Sequence, residues 1–322
     1  MKQGKSRFDF QLNKIATLLQ QAEHEEDPAL WLFLHDMRTP TFMLEALSKL
    51  YANWHNEKAF TKLKDTFKTL EDTLGAIDYY AAFAKEFAAN DKIPVSVTTY
   101  LEQKVKEKTQ ILNKILIQDD WLTGKRVKRI NDKLDEMDWL NEAQEGTLLQ
   151  SFYTKQIEKI EKFIRETQFV FDNVEEDVHE LRRRMRWLSI YPQALQGAIK
   201  LEKVSPVAPQ LVKYLTPEIV SSPFNKFPIS NALSHFLIFE ESYFLSLSWM
   251  IAALGKIKDK GLKIEILKEA LQETAMLSDA TALENTYKIL GPDYPKMAAL
   301  LAEASALVKQ YFEEENLKHI IK

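Results

Sequence analysis

Apolar residues recur at helical spacing along almost the whole chain. Phe10, Ile15, Leu18 and Leu19 begin one stripe, and Leu44, Leu47, Leu50 and Tyr51 form another at i, i+3, i+6 and i+7. That period gathers side chains on one face of a helix. Ile111, Leu112, Ile115 and Leu116 make a third stripe, and Ile157, Ile160 and Ile164 a fourth. Residues that end helices fall between stripes: Pro28, the stretch from Asn90 to Pro94, Gly124, Gly146, Pro206, Pro209, Pro217, Pro223, Pro228 and the pair Gly291-Pro292. The pattern predicts roughly eight to ten helices, several longer than about twenty residues. Strand-like alternation is confined to Val95–Thr99, and the proline-rich stretch from Val204 to Ser230 reads as an ordered connector. Long helices without heptads sustained end to end pack as antiparallel bundles, so the fold class is all-α.

Composition narrows the chemistry. Glycine numbers only 8 in 322 residues, and glycine supplies the positive φ of tight turns and phosphate loops. Neither GxGxxG nor GxxxxGK[ST] occurs, which removes the familiar nucleotide-binding loops. Without cysteine there is no disulfide, thiol nucleophile or iron–sulfur site. The start lacks the apolar region of a signal peptide. The longest apolar run, Ser242 to Gly255, is too short to span a bilayer and reads as a buried helix. A cytoplasmic protein with no cofactor and no membrane partner is expected.

Two short elements recur in the same order. Leu34-His35-Asp36-Met37-Arg38 is answered by Val178-His179-Glu180-Leu181-Arg182, both apolar, His, acid, apolar, Arg. Leu74-Gly75-Ala76-Ile77-Asp78 is answered by Leu254-Gly255-Lys256-Ile257-Lys258-Asp259. The expected organisation is two tandem helical bundles related by an internal repeat, residues 1–160 with the His35 motif and 161–322 with the His179 motif. Gly75 and Gly255 then read as positions where helices approach closely.

These residues resemble the CHAD domains, the conserved histidine α-helical domains. The resemblance implies two four-helix bundles, each opening on a helix with His-x-x-Arg, and inorganic polyphosphate bound in a groove between them without catalysis. It implies an anion site of His35, Arg38, His179, Arg182, Arg183 and Arg186, with a protein partner as the other occupant and no nucleic acid. On one helix, His179, Arg182 and Arg186 share a face. A linear polyanion needs such a stripe of cationic donors. The second copy is rich, with Arg182, Arg183, Arg184 and Arg186 in five residues. The first is poor: Phe42, Met43 and Glu45 stand where the family carries basic residues, as do Trp187 and Ser189 in the second. The net charge of −4 confines any anion site to a local patch.

The string His35-Asp36-Met37-Arg38-Thr39-Pro40 also resembles the phospho-acceptor box of sensor histidine kinases. There a proline kinks the helix after an exposed histidine, and the neighbouring acid assists the attacking nitrogen. That makes phosphotransfer at His35 an alternative, although no ATP-binding domain accompanies it. A third reading is a ligand-free scaffold in which both histidines are buried and hold helices together.

Other constellations carry less. Glu176-x-x-His179 has ferritin-like metal spacing but no second pair, so no metal is expected. Glu240 and Glu241 point about 100° apart on a helix, and a structural role beside the motif arginines fits them better than paired catalysis. The basic run Lys125–Arg129 is answered by Asp132, Asp135, Glu136 and Asp138 and reads as a solvated face. The aromatics Trp187, Tyr191, Phe239, Tyr243, Phe244 and Trp249 read as core.

Overall fold

The computed structural model describes residues 3–229 and 237–322. Helices dominate, as the hydrophobic spacing predicts. The chain runs through α1 (Gln3–Ala22), α2 (Pro28–Leu34), α3 (Arg38–Tyr51), α4 (Glu57–Ala88), α5 (Val95–Gln118), α6 (Lys125–Asp135) and α7 (Glu142–Thr167). A π-helical turn over Val174–His179 leads into α8 (Glu180–Ala194). Strand β1 (Ile199–Glu202), helix α9 (Pro217–Ser221) and strand β2 (Leu237–Glu240) follow, and then α10 (Glu241–Ala275), α11 (Asp279–Leu290) and α12 (Met297–Glu313).

Local chemistry sets many of the helix starts. The side chains of Asp27, Asn56 and Ser278 accept from the backbone N–H groups of Leu30, Ala59 and Thr281, filling orphan donors of the first turn. Asn141 and Gln144 form a reciprocal capping box at α7. Glu240 does the same for α10, its carboxylate accepting from Ser242 at 3.2 Å and Tyr243 at 2.9 Å. The partner of this buried acid is therefore a helix end, and Glu241 pairs with Lys203 at 3.8 Å. The motif arginines expected beside them bond elsewhere.

Two local readings change. Val95–Thr99 forms the first turn of α5, with Pro94 at the cap and Val97 buried; packing of one apolar face overrides β-branched propensity. The strands lie elsewhere. β1 and β2 pair in parallel from Ile199 opposite Leu237 to Glu202 opposite Glu240, and the C-terminal Lys322 adds an N–H to the Ile238 carbonyl. The connector after β1 is ordered by short 3₁₀ turns over Pro209–Tyr214 and Pro223–Asn225; its last residue, Ser230, lies outside the described residues.

The chain forms two compact units, and residue 160 falls inside α7. One unit comprises residues 1–140 and 264–294, the other 141–263 and 295–322. In the first, α3 packs on α1 and α4, and α4 on α5. Phe8, Tyr51, Phe60 and Trp139 cluster at its core with ring centroids 5.2–5.7 Å apart. The Tyr100 hydroxyl donates to Glu269 at 2.8 Å, tying α5 to the late turns of α10. In the second unit Phe152, Tyr153, Tyr191, Phe239 and Phe244 are buried together. Phe10, at the start of the first apolar stripe, is exposed and lies under the Lys14 ammonium at 4.2 Å. No helix among the described residues is long and apolar enough to cross a membrane.

Candidate functional site

His35 does not share a continuous helix with Arg38. It caps the C-terminus of α2, its N–H bonding the Trp31 carbonyl. Asp36 then takes the left-handed conformation at φ +55°, and α3 begins at Arg38. Pro40 falls in the first turn of α3, where a missing N–H costs little. It therefore starts a helix where the phospho-acceptor pattern has it kink one. The His35 ring is exposed, stacks on Trp31 with centroids 3.7 Å apart, and donates from Nδ1 to the Trp31 carbonyl oxygen at 2.8 Å. A proton fixed on Nδ1 leaves Nε2 of the neutral ring with the free lone pair.

Arg38 lies across α4. Its Nε and Nη2 both donate to Glu71 Oε1 at 2.9 Å, and Nη1 donates to Asp78 Oδ2 at 2.9 Å. Between those acids is Gly75, where a Cβ would stand 2.8 Å from Arg38 Nη2. The bare backbone admits the guanidinium. Glu71 is only 9% exposed and Glu45, at 6%, lies close enough to feel its charge. Burial, and then the Glu71 charge, pushes the Glu45 carboxyl up to about 7.

The second motif is built differently up to its arginine. Asn173 accepts from the N–H groups of Glu175 and Glu176, and Asp177 from those of Asp172 and Asn173. These bonds anchor the π-helical turn that carries His179 into α8. Such turns recur at functional sites. His179 is half-buried, and its Nδ1 bonds Glu175 Oε2 at 2.5 Å, which holds the Glu175 carboxyl below the usual carboxylate range. Glu175, one turn back, is the acid that reaches the ring, where the sequence pointed to Glu176. Among the described residues no group of three or more His, Cys, Asp or Glu is placed to hold a metal ion.

Arg182 crosses α10 as Arg38 crosses α4. Its Nε donates to the Ile251 carbonyl at 3.1 Å and would stand 3.0 Å from a Cβ at Gly255. Burial draws its pKa down, opposed by the charge of Asp259. Gly75 and Gly255 thus make room for an arginine side chain, where close helix–helix approach was expected. Arg183 and Arg184 share Glu180: Arg183 Nε donates to Oε2 at 2.8 Å and Arg184 Nε to Oε1 at 2.6 Å, while the Arg184 guanidinium rests over Phe163 at 4.6 Å. Arg183 and Arg186 are exposed. From Glu180 to Arg186, four arginines face one acid.

A family model described as the CHAD domain matches residues 10–215, a span that holds both histidine motifs. The chain belongs to the CHAD domain family. Neither the curated proteins nor the solved structures contain a match to it. Within this CHAD chain, the six residues predicted for an anion site divide into His35 and Arg38 in one unit and His179, Arg182, Arg183 and Arg186 in the other. Each motif brings its histidine and arginines onto one stretch of chain. Sequence reasoning missed the acids that engage them: Glu71 and Asp78 at Arg38, and Glu175 at His179. Glu180 and Glu175 each stand one turn from the residue they engage, at i, i+4 from Arg184 and His179, whereas Glu71 and Asp78 reach Arg38 from another helix.

Proposed function

We propose that this CHAD protein is a non-catalytic module that binds a phosphate-rich anion, with inorganic polyphosphate as the ligand class associated with the family. The observation that carries the reading is the arginine segment after His179. Arg183 and Arg186 are exposed, and Glu180 is the one acid of the segment that an incoming phosphate displaces. Phosphoryl oxygens accept charge-assisted bonds from guanidinium groups more strongly than neutral acceptors do. Arg182 and Arg38 are held over glycines by internal bonds, so they orient the motif while Arg183 and Arg186 make the main contacts. Arg38 is already matched by two carboxylates, which makes the first motif the weaker half. Neither histidine is buried, which speaks for display and against the purely structural scaffold.

The reading predicts salt-sensitive, saturable retention of polyphosphate by the intact chain. The double variant Arg183→Ala/Arg186→Ala should bind at least roughly tenfold more weakly, since each lost charge-assisted bond is worth about 1 kcal/mol or more. Absence of any affinity at low ionic strength would overturn it. Phosphotransfer is favoured by one observation, the exposed His35 ring with Nδ1 committed to a carbonyl. It requires acid-labile phosphate on His35 after exposure to a histidine kinase, and a His35→Gln chain labelled equally well would exclude it.

A further inference from the structure

The start of α6, read from sequence as a solvated basic face, borders a concavity of about 450 Å³ in the first unit. Its walls are Lys58, Thr61, Lys62, Asp65, Thr66 and Thr69 of α4, with Asp119 and Arg126 opposite. Two rows at i, i+4 and i+8 of α4, Lys58-Lys62-Thr66 and Thr61-Asp65-Thr69, place two ammonium groups beside threonine hydroxyls; those of Thr66 and Thr69 donate to the Lys62 and Asp65 carbonyls and are left as acceptors. Among the described residues Lys58 and Lys62 have no carboxylate partner. Arg126 donates only to a neutral group, the Thr66 hydroxyl at 3.2 Å. Asp65 is engaged by Lys64 at 3.0 Å. Three cations, Lys58, Lys62 and Arg126, therefore line one hollow together with the carboxylates of Asp65 and Asp119.

Two other cations of the basic run are spent on internal pairs. Lys128 bonds Asp132 at 3.0 Å and Arg129 bonds Asp120 at 2.8 Å. The concavity lies within the volume range of small-molecule sites. We propose that it is a binding site for a small phosphomonoester, separate from the histidine motifs. The phosphoryl group sits among Lys58, Lys62 and Arg126, and the threonine hydroxyls and Asp119 receive the polar body. Lysines bind phosphate as point charges and arginine adds directed donors.

Titration calorimetry of the intact chain at low ionic strength, with glycerol 3-phosphate as the probe, tests this. Saturable binding is expected to persist in Arg183→Ala/Arg186→Ala, which removes the His179-motif contacts, and to weaken roughly tenfold or more when Lys58→Gln/Lys62→Gln is added to that background. Both lysines are exposed, and an unaltered melting temperature of the combined variant would confirm that it folds. The proposal is overturned if the probe does not saturate, if glycerol or acetate binds as well as the ester, or if the combined variant binds like the arginine variant. Loss of the signal in the arginine variant instead would assign it to the His179 motif.

Discussion

Glu45 is the residue on which pH acts most clearly. Its carboxyl titrates near 7 in the folded protein against an ordinary value of 4.5, so the folded state holds this proton where the unfolded chain has released it. Stability from this group is full below about pH 4.5 and is lost as pH rises to about 7, by about 3 kcal/mol. Urea denaturation of Glu45→Gln should lack that decline between pH 5 and about 7.5; a slope equal to the parent's would refute the assignment. Arginine placement yields a second prediction. In Gly75→Ala the new methyl stands 2.8 Å from Arg38 Nη2, which Glu71 and Asp78 hold in place, so overpacking should outweigh the helix propensity of alanine and cost about 1–2 kcal/mol. In Gly255→Ala it meets Arg182 Nε, which is anchored on Ile251, and overpacking should cost about 1–2 kcal/mol. Unchanged or raised stability at either glycine would contradict the placement of an arginine over it. Both glycines and both arginines drew notice in the sequence, yet their pairing did not, because an arginine lying across another helix leaves no local trace.

At the scale of elements, the long helices α5 and α7 were legible because apolar residues recur in them at helical spacing, and α10 because it opens on a long apolar run. The interruption after His35 was not. Asp36 adopts positive φ without being glycine, and the Thr39 hydroxyl bonds its carboxylate at 2.8 Å, a feature that only the fold selects. The π-helical turn and the paired strands were hidden for a related reason: β1 and β2 are four residues each and pair across a long stretch of chain. The cap on α10 is more tractable. Glu240→Ala removes the acceptor for two N–H groups and should cost about 1 kcal/mol in thermal or urea unfolding. Glu240→Asp, also a good capping side chain, should restore part of it.

For the molecule as a whole, a net charge of −4 and an anion-binding reading coexist because charge is unevenly spread. The first motif neutralises its arginine with Glu71 and Asp78, whereas the segment after His179 keeps arginines exposed. Each compact unit is discontinuous in sequence, residues 264–294 belonging with 1–140, and no local pattern announces such a return. Any polyanion affinity should rest on few contacts and fall with salt at a correspondingly modest slope. The most direct measurement is polyphosphate binding to the intact chain at low and near-physiological ionic strength, beside Arg183→Ala/Arg186→Ala. Saturable binding that weakens with salt and drops at least roughly tenfold in the variant is the expected result. No saturable binding at low ionic strength, or a variant that binds like the parent, would contradict it.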